Sequence, residues 1–206
     1  MGLTVDTLTV KFLSKYFQLI PEEYRSRAVI AGGAAASFVY ASDVDIYILG
    51  LDEDGAYKLS AILDRQRSTI PGMRVSMPGS GEFDELCSNY PEKDDFRVIA
   101  GIPDAVTPVQ IIATWNETVK DLLQGFDIST HCVAYTSDGT RHTIAETTDL
   151  TVSPRFVSMH APDKALARYR KICLRYGLQP DPAELVRACL VPEPIKKNRE
   201  VGVGLV

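Results

Sequence analysis

Apolar residues recur every fourth position at Leu8, Phe12, Tyr16 and Ile20, with Leu13 and Phe17 beside them, and this period predicts an amphipathic helix over residues 6 to 20 that Pro21 ends. After "RAVIAGG" comes an alanine-rich segment from Ala34 to Tyr40, long enough for about two helical turns. In "DVDIYIL" the period drops to two: Val44, Ile46 and Ile48 fall on one face of a strand, and Asp43, Asp45 and Tyr47 on the other.

Further along, a second helix is predicted from about Ala56 to Arg67, followed by the short strand candidate "MRVSM". Residues 78–95 mix glycine, proline and both signs of charge and are expected to form a loop or insertion. "FRVIAGI" and "VTPVQIIAT" predict two strands joined through Pro103 and Asp104, and "NETVKDLLQGF" predicts a helix capped by Asn116. A β-run opens at Asp127 in "GFDISTHCVAY" and turns back at Ser137-Asp138-Gly139-Thr140 as a hairpin. Two helices follow: "APDKALARYRKICLRYG", with Gly177 as its stop, and "DPAELVRACL", with Asp181 as cap, Pro182 in the first turn and Glu184 three residues after the cap.

The fold expected over residues 1–150 is α+β, with a mixed and antiparallel sheet and helices on one side. A small helical region over 151–191 and a loosely held polar tail over 192–206 complete the expected organisation.

Composition changes the picture little. The 206 residues are 45% hydrophobic and 24% charged, as in ordinary globular chains. No run approaches the roughly 18 to 20 apolar residues of a membrane helix, and the start lacks a secretory layout, so no membrane partner and a cytoplasmic location are expected. Cys87, Cys132, Cys173 and Cys189 are too dispersed for a CxxC unit and are expected to be reduced and mostly buried. A net charge of −5 excludes a molecule that is basic all over and grips nucleic acid by that means, while leaving room for a local basic face.

Asp43 and Asp45 carry the candidate chemistry. Two like charges on one strand face repel unless a cation stands before them, and a hard divalent ion, magnesium with manganese as its substitute, is the economical choice. Gly32 and Gly33, having no side chains, let backbone amides approach a phosphate closely, and a helix starting there would aim its amino terminus at the same group. Metal beside phosphate implies a nucleotide.

In this arrangement the chain resembles the nucleotidyltransferase superfamily typified by DNA polymerase beta, whose signature is a Gly-Gly or Gly-Ser pair, a spacer of roughly ten residues and Asp-hydrophobic-Asp on a strand. Gly32, Gly33, Asp43, Val44 and Asp45 match it, tightly over residues 28 to 49 and loosely as far as residue 136. The resemblance implies a palm-like sheet, two magnesium ions, and transfer of a nucleoside monophosphate from a nucleoside triphosphate to an acceptor hydroxyl on RNA, a protein or a small molecule.

The family's third carboxylate is expected on a later strand, where order offers the neutral Gln110. Asp127 is the alternative, in a Phe-Asp-hydrophobic element similar to that of nucleotidyltransferase-like proteins from viruses and phages. It equally suits a cap between helix and strand. The resemblance thus implies Asp43, Asp45 and Asp127 as catalytic and metal-binding residues, and a viral or phage source. A catalytically decayed relative, serving as a protein-binding or host-interference module, is the competing reading that Gln110 favours.

Lys164, Arg168, Lys171 and Arg175 fall three or four apart on one predicted helix and form a basic stripe, either a solvated face or a wall that holds a triphosphate, with Lys164 and Arg168 as its nucleotide-binding candidates. Ser37, four residues beyond Gly33, can donate to a phosphate or simply pack its helix against the sheet. His131, His142 and His160 have no acid or serine at a telling spacing and receive no chemistry. Trp115 and the tyrosines are scattered, as core and rim residues are, and do not form a base-stacking platform.

Overall fold

The computed structural model of the chain describes residues 5–75, 96–103, 105–159 and 162–190. The expectations for the 78–95 loop, for Cys87, Asp104 and His160, and for the 192–206 tail lie outside those residues.

A seven-stranded sheet organises the molecule. Its strands are β1 (Ala28–Ala31), β2 (Val44–Ile48), β3 (Arg74–Val75), β4 (Phe96–Ile102), β5 (Val109–Thr114), β6 (Val133–Thr136) and β7 (Arg141–Thr143). They lie in the order β3-β4-β5-β2-β1-β6-β7, antiparallel throughout except for the parallel pair β2 and β5. With helices on the sheet, this is the expected α+β class.

The period-two pattern of β2 sorts the two faces. Val44, Ile46 and Ile48 join Ile30, Ile111 and Tyr135 in the larger core. Three helices cover that face: α1 (Val5–Phe17), α3 (Gly33–Ala36) and α4 (Glu53–Gln66). Between α1 and β1 lies a single turn, α2 (Glu22–Arg25). Tyr47 lies on the opposite face with Val29, Ile112 and Ala134, where α5 (Val119–Gln124) packs Leu122 and Leu123 against it. A short helix thus shields part of the second face as well.

Local chemistry moved several boundaries. Leu8, at the start of the α1 stripe, is exposed, while Leu13, Tyr16, Phe17 and Ile20 are buried in the core and Val10 and Phe12 pack against it. Helix α4 begins at Glu53, ahead of the expected Ala56, because the Asp52 carboxylate accepts from the Gly55 amide at 2.8 Å and caps it. Thr118, not Asn116, caps α5, its hydroxyl accepting from the Asp121 amide, while the Asn116 amides donate to Thr114 Oγ1. The alanine-rich helix is one turn only, since Ser37 is already extended and Phe38 stacks on Phe12 at 5.0 Å.

The β-run expected to open at Asp127 starts later. Ile128 makes an isolated bridge to Phe156, Ser129–His131 form a 3-10 turn, and β6 begins at Val133. Helices α6 (Pro162–Tyr176) and α7 (Pro182–Leu190) close a third core with Ile128, Phe156, Tyr169 and Ile172. Asp181 caps α7 through the Ala183 amide, but the Glu184 carboxylate accepts from the Phe156 amide and not from the cap residue. That bond, with Arg187 donating to the Phe156 carbonyl, ties α7 to the segment that follows the hairpin.

Candidate functional site

Asp45 and Gln110 are partners in the parallel ladder, with Ala31 on the other side of Asp45. By strand alternation both share the face of Tyr47 and Ile112, the face α5 covers only in part. Asp45 Oδ1 and Gln110 Oε1 are sealed from solvent without a hydrogen-bond partner among the described residues. Asp43 immediately precedes β2 and accepts from the Ser42 hydroxyl at 3.0 Å. Burial, and then the charge of Asp43, pushes the Asp45 carboxyl up to about 7, and Arg168 opposes the rise.

The paired glycines sit where β1 turns into α3. Gly32 has a φ of +79° and a ψ of −138°, a conformation open to glycine and strained for other residues. A Cβ there would lie 3.1 Å from the Phe126 ring, and that ring in turn meets Tyr47 edge to face. On Gly33 a Cβ would lie 3.7 Å from His131 Cε1 and 4.0 Å from its Nε2. At four residues, α3 is too short to present the helix terminus expected at Gly33 as a source of charge. Ser37 closes that turn, its amide donating to the Gly33 carbonyl.

Phe126, packed over Tyr47, delivers Asp127 to the same end of the sheet. There Arg168 of α6 closes an ion pair with the Asp127 carboxylate. Arg168 also acts on Asp45 and on His131. His131 is held down to about 4, by burial first and then by Arg168, against the opposing pull of Asp127, with Arg175 and Lys171 adding to the depression. Its Nε2 is sealed and unpartnered among the described residues. Lys164, one turn before Arg168, is exposed.

One end of the sheet therefore gathers Gly32, Gly33, Asp43, Asp45, Asp127 and Arg168. It adds His131, to which the sequence assigned no chemistry, Lys171 and Arg175, which had only a place on the stripe, and Gln110, the neutral residue where order puts the third carboxylate. No periodicity marks His131, because only the 3-10 turn brings it to Gly33. Among the described residues Lys164 and Ser37 make no contact there that assigns them a ligand.

Magnesium can be tested against this donor set. Asp45 Oδ1 and Gln110 Oε1 are unsatisfied hard oxygens on paired positions of β2 and β5, and Asp43 adds its charge to Asp45, a donor chemistry that suits an ion keeping water and phosphate as its other ligands. Among the described residues no cluster of three His, Cys, Asp or Glu side chains is arranged to hold a metal. Asp127, the expected third carboxylate, faces Arg168 in an ion pair.

A cavity of about 400 Å³ opens elsewhere, at the other end of β2, beside Tyr24, Arg27, Trp115 and Glu117. Two charged groups on its rim are already engaged, since Arg27 donates to the Gly50 carbonyl and Asp52 caps α4. Among the described residues no helix is long and apolar enough to cross a membrane. Neither a protein-family model nor a curated protein matches the chain.

Proposed function

We propose that this chain is a metal-dependent nucleotidyltransferase that moves a nucleoside monophosphate from a nucleoside triphosphate to an acceptor hydroxyl. The observation that carries the reading is Asp45 Oδ1, sealed and without a donor among the described residues, in the field of both Asp43 and Arg168. An acidic pair opposed by a basic helix matches a ligand that is itself two-sided, a magnesium ion on triphosphate oxygens.

Asp43, Asp45 and Gln110 would hold the ion, and Gly32 and Gly33 would leave room for the phosphates. Bound there, magnesium would supply Lewis-acid neutralisation of the triphosphate. Arg168, with Lys171 and Arg175 on the same helix, would balance the negative charge that accumulates as pyrophosphate leaves. The acceptor oxygen forms a bond to the α-phosphorus, the bond from that phosphorus to the pyrophosphate oxygen breaks, and the hydroxyl proton passes to solvent. The setting in this reading is the cytoplasm, and the resemblance supplies a viral or phage source.

The test is transfer of label from each of the four α-labelled triphosphates, with magnesium or manganese, onto a panel of RNA, protein and aminoglycoside acceptors. Label on one acceptor class, lost in Asp45→Asn, is the expected result. A specific observation favours a second reading, a decayed fold that binds a protein: Gln110 is neutral and Asp127 is taken up by Arg168. Under that reading no triphosphate gives transfer, and a partner protein binds Asp45→Asn as well as it binds the native chain.

A further inference from the structure

We propose that His131 is a phosphate-contacting residue, its Nε2–H donating to a non-bridging oxygen of the triphosphate seated at Gly32 and Gly33; this rests on the nucleotide reading above. The imidazole edge lies 3.7 Å from where a Gly33 side chain would begin, so the ring stands beside the glycine pair at contact distance for a single methyl. Nε2 has no partner among the described residues, although it is sealed from solvent. A buried polar nitrogen left in this condition is accounted for when a ligand completes it.

The backbone holds the ring in place. Ser129, at the start of the same 3-10 turn, is buried, and its Oγ accepts from the Arg155 amide at 2.8 Å and lies 2.7 Å from Thr148 Oγ1. The His131 amide donates to the Ile128 carbonyl at 3.0 Å, and Ile128 belongs to the third core. Arg168, Lys171 and Arg175, which act on the imidazole, all stand on α6. In their field the ring is a weak base, which leaves binding as its role, and a phosphate oxygen accepts readily from a neutral imidazole N–H.

Two near-isosteric variants isolate the nitrogen, because a Gln amide nitrogen falls close to imidazole Nε2 and an Asn amide nitrogen close to Nδ1. Calorimetric titration of the full chain with magnesium tripolyphosphate and with magnesium ATP is expected to show roughly tenfold or greater weakening in His131→Asn. His131→Gln is expected to stay within about threefold of the native chain, since it keeps the donor. In ¹⁵N-histidine-labelled native protein, the His131 ring signals should move when either probe binds, a readout that also decides the matter if His131→Asn does not fold. Native binding with static ring signals, or equal binding by folded His131→Asn, overturns the proposal and leaves the nucleotidyltransferase reading standing. Binding that depends on His131 without transfer to any acceptor supports the proposal and counts against that reading. A native chain that takes up neither probe overturns both.

Discussion

Asp45 and Gln110 stand opposite one another in the parallel ladder of β2 and β5, each with a side-chain oxygen sealed from solvent that no donor reaches among the described residues. Two adjacent acceptors without a donor are a costly arrangement in an empty protein and a favourable one around a cation. Gln110→Asp tests this directly. With EDTA, a third negative charge should destabilise the fold by about 1–3 kcal/mol and raise Asp45 further. With magnesium the loss should reverse, and ion binding should become measurable by calorimetry without nucleotide. A variant whose melting temperature ignores magnesium would remove the ion from this spot.

Asp45 and His131 give the metal-free protein opposing pH dependences. Asp45, with Asp43 and Arg168 as its charged neighbours, goes from an ordinary 3.8 up to about 7, so the folded state keeps a proton that the unfolded chain releases. Its contribution is full below about 4 and is lost as the pH rises to about 7. His131, facing Arg168, Asp127, Arg175 and Lys171, goes from 6.5 down to about 4, so its contribution is full above 6.5 and is lost as the pH falls toward 4. Each slope is on the order of 1 kcal/mol per pH unit between those limits. Urea denaturation in EDTA should therefore show Asp45→Asn gaining stability from pH 4 to 6.5 and then levelling, and His131→Gln losing it steadily up to pH 7. Parallel profiles for the two variants would contradict the assignment.

Arg168 links three site groups, so its removal should be read in their titrations more than in stability. Its side chain is 48% exposed, and the ion pair with Asp127 is worth no more than about 1 kcal/mol for that reason. Arg168→Gln should raise the pKa of both Asp45 and His131, because the guanidinium depresses each of them now. Carboxyl ¹³C and imidazole ¹⁵N titrations measure the two shifts. Movement of one group without the other would mean that Arg168 does not stand between them.

How far the sequence displayed all this depended on the range of the interactions involved. Strand β4, the hairpin and the Gly177 stop were legible because alternation and turn chemistry act within a few residues. The length of α3 was not: alanines favour helix, but the stacking of Phe38 on Phe12 takes the chain elsewhere after Ala36. Nor was the 3-10 turn after Ile128, which depends on Ser129 finding Thr148 and Arg155. His131 escaped notice for the same reason, since its neighbour in space is Gly33 and no local pattern records that contact.

The two glycines should separate folding from binding. Gly32→Ala must adopt a φ of +79° and push Phe126 from 3.1 Å, so it should destabilise the protein by about 1–3 kcal/mol. Gly33 has ordinary backbone angles for a helical residue, and the atoms a methyl would meet there lie at 3.7 and 4.0 Å, which is van der Waals contact. Alanine at this position, inside a helical turn, should leave stability unchanged or raise it by up to about 1 kcal/mol. Yet the methyl would stand against the edge of His131, beside which the phosphate is expected to lie. Gly33→Ala should therefore melt at or above the native temperature while losing the stabilisation that magnesium ATP gives the native chain. Thermal scans with and without the nucleotide measure both effects in one experiment, and a folded Gly33→Ala that still gains the full nucleotide shift would move the phosphate away from the paired glycines.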